Sequence, residues 1–156
     1  MNKVEQLIDL LAKKELTLGA AESFTGGLFG KTITDVSGAS KVFKGSIVSY
    51  SKEVKVNVLG LDEAFLDENG IVSWPTAQAM AVAAKKVLNT DIAVSFTGNA
   101  GPEQLPGEAK VGEVYMAIVY AEKVWAIPLK LELERKEVRE VAVNSVIDAL
   151  ISILSR

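Results

Sequence analysis

Ser23 and Thr25 stand in the segment Ala21-Glu22-Ser23-Phe24-Thr25-Gly26-Gly27, directly after the apolar run Leu16 to Ala20, where a strand is predicted to turn into a helix. The first N–H groups of a helix have no partner inside it, and the helix dipole favours negative charge there, so this turn suits a phosphate or a developing oxyanion. Ser23 is therefore a candidate nucleophile. The same residues also fit a plainer role, with Ser23 or Thr25 capping the helix and the two glycines forming a tight turn.

The chain has no histidine and no cysteine. A Ser-His-Asp triad, a thiol nucleophile, disulfides and every zinc site built on thiolate or imidazole are excluded. A serine nucleophile here needs another base, and the usual substitute is a lysine whose ammonium form is disfavoured by desolvation or a nearby cation. Lys55 and Lys52 compete for that role, both just beyond the strand that ends near Tyr50. The alternative for both lysines is a solvated surface position. Tyr50 can offer its hydroxyl to a ligand or serve as packing.

Thr97-Gly98-Asn99-Ala100-Gly101-Pro102 leaves a third strand with a hydroxyl and two glycines, which suits either close backbone approach to a ligand or a simple turn. Arg135 and Arg139 lie one turn apart near the start of the last helix, where cations are unfavourable by a few tenths of a kcal/mol each. They either face a bound anion or pair on the surface with Glu134, Glu137 and Glu140.

The elements that must position these residues follow from periodicity. Val4, Leu7, Ile8 and Leu11 predict an amphipathic helix over 2–14, followed by a strand over 16–22 and a helix from about 25 to 36. A strand over 43–50 leads into a short helix capped by Ser51, then a further helical turn or two from Asp62 to Asn69. Pro75 is suited to be the first residue of an alanine-rich helix ending near Asn89, and 91–97 reads as a buried strand. The loop from Gly98 to Lys110 has the length of a functional loop or lid. Two strands, 111–120 and 123–131, form a hairpin about Ala121-Glu122, and a helix over 135–154 closes the chain.

This order predicts a three-layer α/β/α sandwich around a mixed, mainly parallel sheet, with ligands collecting beyond the carboxyl ends of its strands. The 156 residues suit one domain, 1–156, and 49% hydrophobic content suffices for a sizeable core. With Lys+Arg 17 against Asp+Glu 20, small anions are better partners than nucleic acid. The absence of an 18-residue apolar run or a signal-peptide pattern leads to an expectation of a cytoplasmic protein with no membrane partner. The apolar last helix and the hairpin suggest self-association as a homo-oligomer.

Taken in order, Ala21 to Gly27, Tyr50-Ser-Lys-Glu-Val-Lys55 with Leu59-Gly60, Gly70 to Ser73, Phe96 to Pro102, Val111-Gly112, and Arg135 with Arg139 resemble the CinA C-terminal domain family. The resemblance spans nearly the whole chain, through patterns of the AES-x-TGG, TG-x-AGP and R-x-x-x-R kind. It implies nicotinamide-nucleotide amidohydrolase activity, converting nicotinamide mononucleotide to nicotinate mononucleotide and ammonia in pyridine-nucleotide salvage without a cofactor or metal. Carried over, the family's nucleophile falls on Ser23 and its base on Lys55, with Tyr50, Thr97 and Arg135 at pocket positions. N–H groups around Thr25, Gly26 and Gly27 would hold the oxyanion, and Arg135, Arg139 or the Thr97-Gly98 loop would hold the phosphate. A nucleotide-binding, competence- or damage-associated protein without turnover is the alternative the family's name suggests. Phe24, where a small residue or cysteine is common, Lys52, in place of asparagine, and the loop after Pro102 depart from the pattern. Many members carry a larger preceding domain, so this sequence resembles a stand-alone version.

Overall fold

The computed structural model describes residues Met1–Arg156. In chain order the elements are α1 (Lys3–Lys13), β1 (Leu18–Glu22), α2 (Leu28–Thr34), β2 (Phe43–Val48), α3 (Lys52–Asn57), α4 (Glu63–Asn69) and α5 (Trp74–Leu88). They continue with β3 (Ile92–Gly98), β4 (Glu113–Tyr120), β5 (Lys123–Lys130) and α6 (Arg135–Leu154). Side-chain caps set several helix starts: Asn2 accepts from Glu5 N–H, Ser51 from Val54 N–H and Ser73 from Thr76 N–H. The Ser73 cap starts α5 at Trp74, so Pro75 is its second residue rather than its first. The second helix is shorter than its sequence pattern suggests, because residues 23–27 form a turn of their own.

The strands form one sheet in the order β2-β1-β3-β4-β5. β1 pairs in parallel with both β2 and β3, β3 pairs antiparallel with β4, and β4 with β5. Four strands thus run one way and β4 alone runs against them, so the sheet is mixed and mainly parallel in direction. β1 is buried along its whole length, as expected for a strand covered on both faces. The β4–β5 hairpin turns at Ala121-Glu122, with Ala121 at φ 55°.

Helices cover both faces. On one side α1, α2 and α6 pack through Leu7, Leu11, Phe29, Ile33, Val146 and Leu150 onto the larger strand side chains, including Leu18, Val94 and Phe96. On the other, α5 lies close to the sheet because small residues face each other: Ala77, Ala81 and Ala84 against Ala21, Ala93 and Ala117. This is the three-layer α/β/α arrangement. The connection after β1 crosses one face through α2, and the connection after β2 returns over the other through α3 to α5, so the two part at the carboxyl ends of β1 and β2. A crevice at such a divergence is where open α/β sheets bind ligands.

Candidate functional site

Ser23 emerges from β1 at that divergence. Its N–H donates to the Phe96 carbonyl of β3 at 3.0 Å, while the Glu22 carbonyl accepts the Ser49 N–H at 2.7 Å, so the chain is held from both neighbouring strands. After β2 the Ser51 cap fixes the start of α3, and four residues later Lys55 turns back beneath the strand ends. Lys55 is fully buried. Its ammonium nitrogen Nζ lies 2.9 Å from Ser23 Oγ, 2.7 Å from the Ser49 carbonyl oxygen and 3.4 Å from that of Tyr50. Burial pushes the Lys55 amine down from 10.5 to about 8, with no carboxylate opposing the shift.

Lys52 is the opposite case. It pairs with Asp67 and lies 3.8 Å from Glu63 at the surface, and the hydrogen bond to Asp67 raises its pKa. The structure therefore resolves the competition between the two lysines in favour of Lys55 as the amine beside Ser23.

Ser23 opens into a cleft of about 390 Å³ whose walls include Phe24, Tyr50, Ile71, Thr97, Asn99 and Arg135. Phe24 belongs to the core cluster and is 4% exposed, so its ring is a wall of the cleft rather than an obstruction in it. Tyr50 is 61% exposed at the rim, with its hydroxyl 3.4 Å from Arg135 Nη2. Arg135 Nη1 donates to the Gly101 carbonyl at 2.7 Å, which anchors the guanidinium beside the loop that follows β3.

Thr97 and Gly98 line the cleft, with structural duties the sequence did not reveal. The Thr97 hydroxyl donates to the Ile71 carbonyl at 2.5 Å and so holds the Gly70–Ser73 segment. A Cβ on Gly98 would meet Val114 Cγ1 at 2.4 Å, so the glycine is required by strand packing.

The turn 25–27 corrects two expectations. Arg139 does not point into the cleft with Arg135; its Nη2 donates to the Thr25 carbonyl at 2.7 Å, behind the turn. The cause is its position one turn deeper along α6, where the helix already packs on α2. Gly26 is not a free donor either, because its N–H closes onto the Ser23 carbonyl at 3.0 Å, whereas the N–H groups of Phe24, Thr25 and Gly27 have no protein acceptor. Thr25 itself is fully buried, and neither it nor the two glycines line the cleft.

Nor is the start of α2 open to a substrate anion. The fully buried Glu22 carboxylate accepts the Phe29 N–H at 2.8 Å, the Gly30 N–H at 3.1 Å and the Ser46 hydroxyl at 2.5 Å. A carboxylate of the chain itself thus fills the anion site of the helix. Sequence reasoning passed over Glu22 although it sits inside the marked segment; an acidic residue on a strand otherwise apolar was the signal.

The fold and site define an α/β protein with a serine and a buried, carboxylate-free lysine in contact at a strand-end cleft. The chain matches the CinA C-terminal domain over residues 1–154 and belongs to that family. It is 40% identical over 141 residues to a CinA-like protein of Flavobacterium psychrophilum, covering 90% of this chain and 34% of that one. It is 37% identical over 150 residues to the Protein MG115 homolog of Mycoplasma pneumoniae, covering 96% and 95%. The chain spans about a third of the length of several of the curated relatives it matches.

Among solved structures, a competence/damage inducible protein CihA from Agrobacterium tumefaciens superposes with TM-score 0.88 at 30% identity, covering 100% of this chain and 98% of that one. A CinA superfamily protein from Klebsiella pneumoniae gives TM-score 0.93 at 25% identity, covering 99% of each. No helix is long and apolar enough to cross a membrane.

Proposed function

We propose that this protein hydrolyses the carboxamide of nicotinamide mononucleotide, with Ser23 as nucleophile and Lys55 as general base. The observation that carries the proposal is the 2.9 Å contact between Ser23 Oγ and a fully buried Lys55 Nζ whose pKa has fallen to about 8. A neutral amine in that place accepts the Ser23 proton as Oγ forms its bond to the amide carbon. The tetrahedral oxyanion collapses, Lys55 returns the proton to the leaving nitrogen, and ammonia departs. Water, deprotonated by the same amine, then cleaves the acyl-enzyme to give the carboxylate and free Ser23.

Of the unpartnered N–H groups in the turn, that of Phe24 belongs to a residue lining the cleft and is the available donor for the oxyanion, in place of Gly26. For the substrate phosphate, Arg135 is the candidate within the cleft, and Arg139 is set aside by its position behind the turn.

The test is ammonia release from nicotinamide mononucleotide by the wild type beside Ser23→Ala and Lys55→Ala. Each variant is expected to lose about 10³-fold or more in kcat. Release at the parent rate by Ser23→Ala would remove the nucleophile and the mechanism with it. The names of several relatives, which speak of competence and damage, favour a second reading as a nucleotide-binding protein without turnover. Calorimetric binding of the mononucleotide with no ammonia released supports that reading instead.

A further inference from the structure

The charges of the cleft distinguish it further. Of the residues that line it only two carry full charges, Arg135 from the start of α6 and Glu108 from the loop after β3. Arg135 is anchored through Gly101. Glu108 is exposed, and no cation or hydrogen-bond donor of the protein meets its carboxylate, in contrast to Glu22, Glu63 and Glu113, which all have partners. A carboxylate at a cleft rim with no partner in the protein remains available to a cationic ligand group.

The loop around Glu108 is built rather than loose. Asn99, itself a lining residue, donates from Nδ2 to the carbonyls of Glu103 at 3.0 Å and Ala109 at 2.9 Å, and accepts the Gly101 N–H at 2.9 Å. The Glu108 N–H donates to the Leu105 carbonyl at 3.0 Å, and Gln104 Nε2 to the Glu108 carbonyl at 3.3 Å. Both flanks of Glu108 are thereby tied, on one side to the end of β3 and on the other within the loop. Two of the Asn99 hydrogen bonds thus brace this segment, at Glu103 and at Ala109 beside Glu108.

We propose that Glu108 is a specificity-determining residue that reads the positive charge of the ligand's ring, so that the cleft selects a zwitterion: a cationic ring near Glu108 and an anionic group near Arg135. The inference rests on the amidase reading for the identity of the ligand and deepens it. A nicotinamide ring joined to ribose through its nitrogen is a pyridinium cation. The reduced dihydronicotinamide mononucleotide has the same carboxamide, ribose and phosphate with a neutral ring. The cleft should therefore favour the oxidised nucleotide through Glu108, and the preference should weaken as salt screens an exposed charge.

The experiment compares both nucleotides with wild type, Glu108→Gln and Glu108→Asp, by kcat/KM for ammonia release and by calorimetric Kd on the Ser23→Ala background. The expected result is a wild-type preference for the oxidised form of about fivefold in Kd, reduced to near unity by Glu108→Gln and largely restored by Glu108→Asp, and a preference in kcat/KM that drops about fivefold in Glu108→Gln without vanishing, because the carboxamide of the reduced ring is intrinsically the poorer electrophile. The wild-type preference should also shrink between 0.05 and 0.5 M salt, on the order expected when the Debye length contracts about threefold. A ratio that Glu108→Gln leaves unchanged, or binding of neither nucleotide, overturns the inference. Absence of ammonia release with the calorimetric preference intact overturns the amidase reading and leaves this one standing.

Discussion

Lys55 and Ser23 need each other for different reasons. Ser23 Oγ is an ordinary hydroxyl until a neutral amine lies within hydrogen-bond reach, and Lys55 is an ordinary ammonium until burial takes away its water. With its pKa at about 8, Lys55 is mostly protonated at neutral pH and becomes a competent base as pH rises. The expected kcat/KM profile therefore climbs about tenfold per pH unit below the inflection and levels off above about pH 8. A profile flat from pH 6 to 9 would show that Lys55 is not the titrating base. Sequence alone made this pair legible as residue types, since the missing histidine named the kind of base required. Residue types and spacing did not choose between Lys52 and Lys55, which only the family resemblance did, because that choice depends on which side of α3 faces the sheet and on the distant Asp67 that takes Lys52.

At the scale of elements, the helix after β1 shows what a local reading misses. A strand-turn-helix with glycines suggested an anion site at the start of α2, and the site exists, but Glu22 already fills it from the last residue of β1. The sequence shows the turn; it does not show that a side chain seven and eight residues upstream folds back on the Phe29 and Gly30 N–H groups. Removing that carboxylate leaves two buried helix donors unpaired and should melt the first turn of α2. Glu22→Ala is expected to cost about 3 kcal/mol and Glu22→Gln about half as much, since the amide keeps one acceptor. Urea unfolding measures both, and a cost below about 0.5 kcal/mol for Glu22→Ala would mean that water replaces the carboxylate at no loss. Helices, strands and the hairpin were legible because their periods are strong. The roles of Thr97 and Gly98 were not, because Ile71 and Val114, which decide them, are far away in sequence.

For the molecule as a whole, the site is a source of instability that the two cores must offset. In the folded state the Lys55 amine sits at about 8, while in the unfolded chain it returns to 10.5. Between those values the unfolded state binds the extra proton, so stability rises with pH across this window. Below about pH 8 the folded protein carries a buried ammonium at its full cost, which the shift places at roughly 3 kcal/mol. Lys55→Met removes that cost, fills similar volume, and gives back about 1 kcal/mol by leaving the Ser49 carbonyl without its donor. The variant should thus be inactive yet more stable than the wild type by about 2 kcal/mol at pH 7, a rise of several degrees in Tm. The gain should fade as pH rises from 8 and turn into a small deficit near 10.5, where the wild-type amine is neutral in the folded state and half neutral in the unfolded one. Calorimetric unfolding of both proteins at pH 7 and pH 10 distinguishes this from simple repacking, which would shift Tm by the same amount at both.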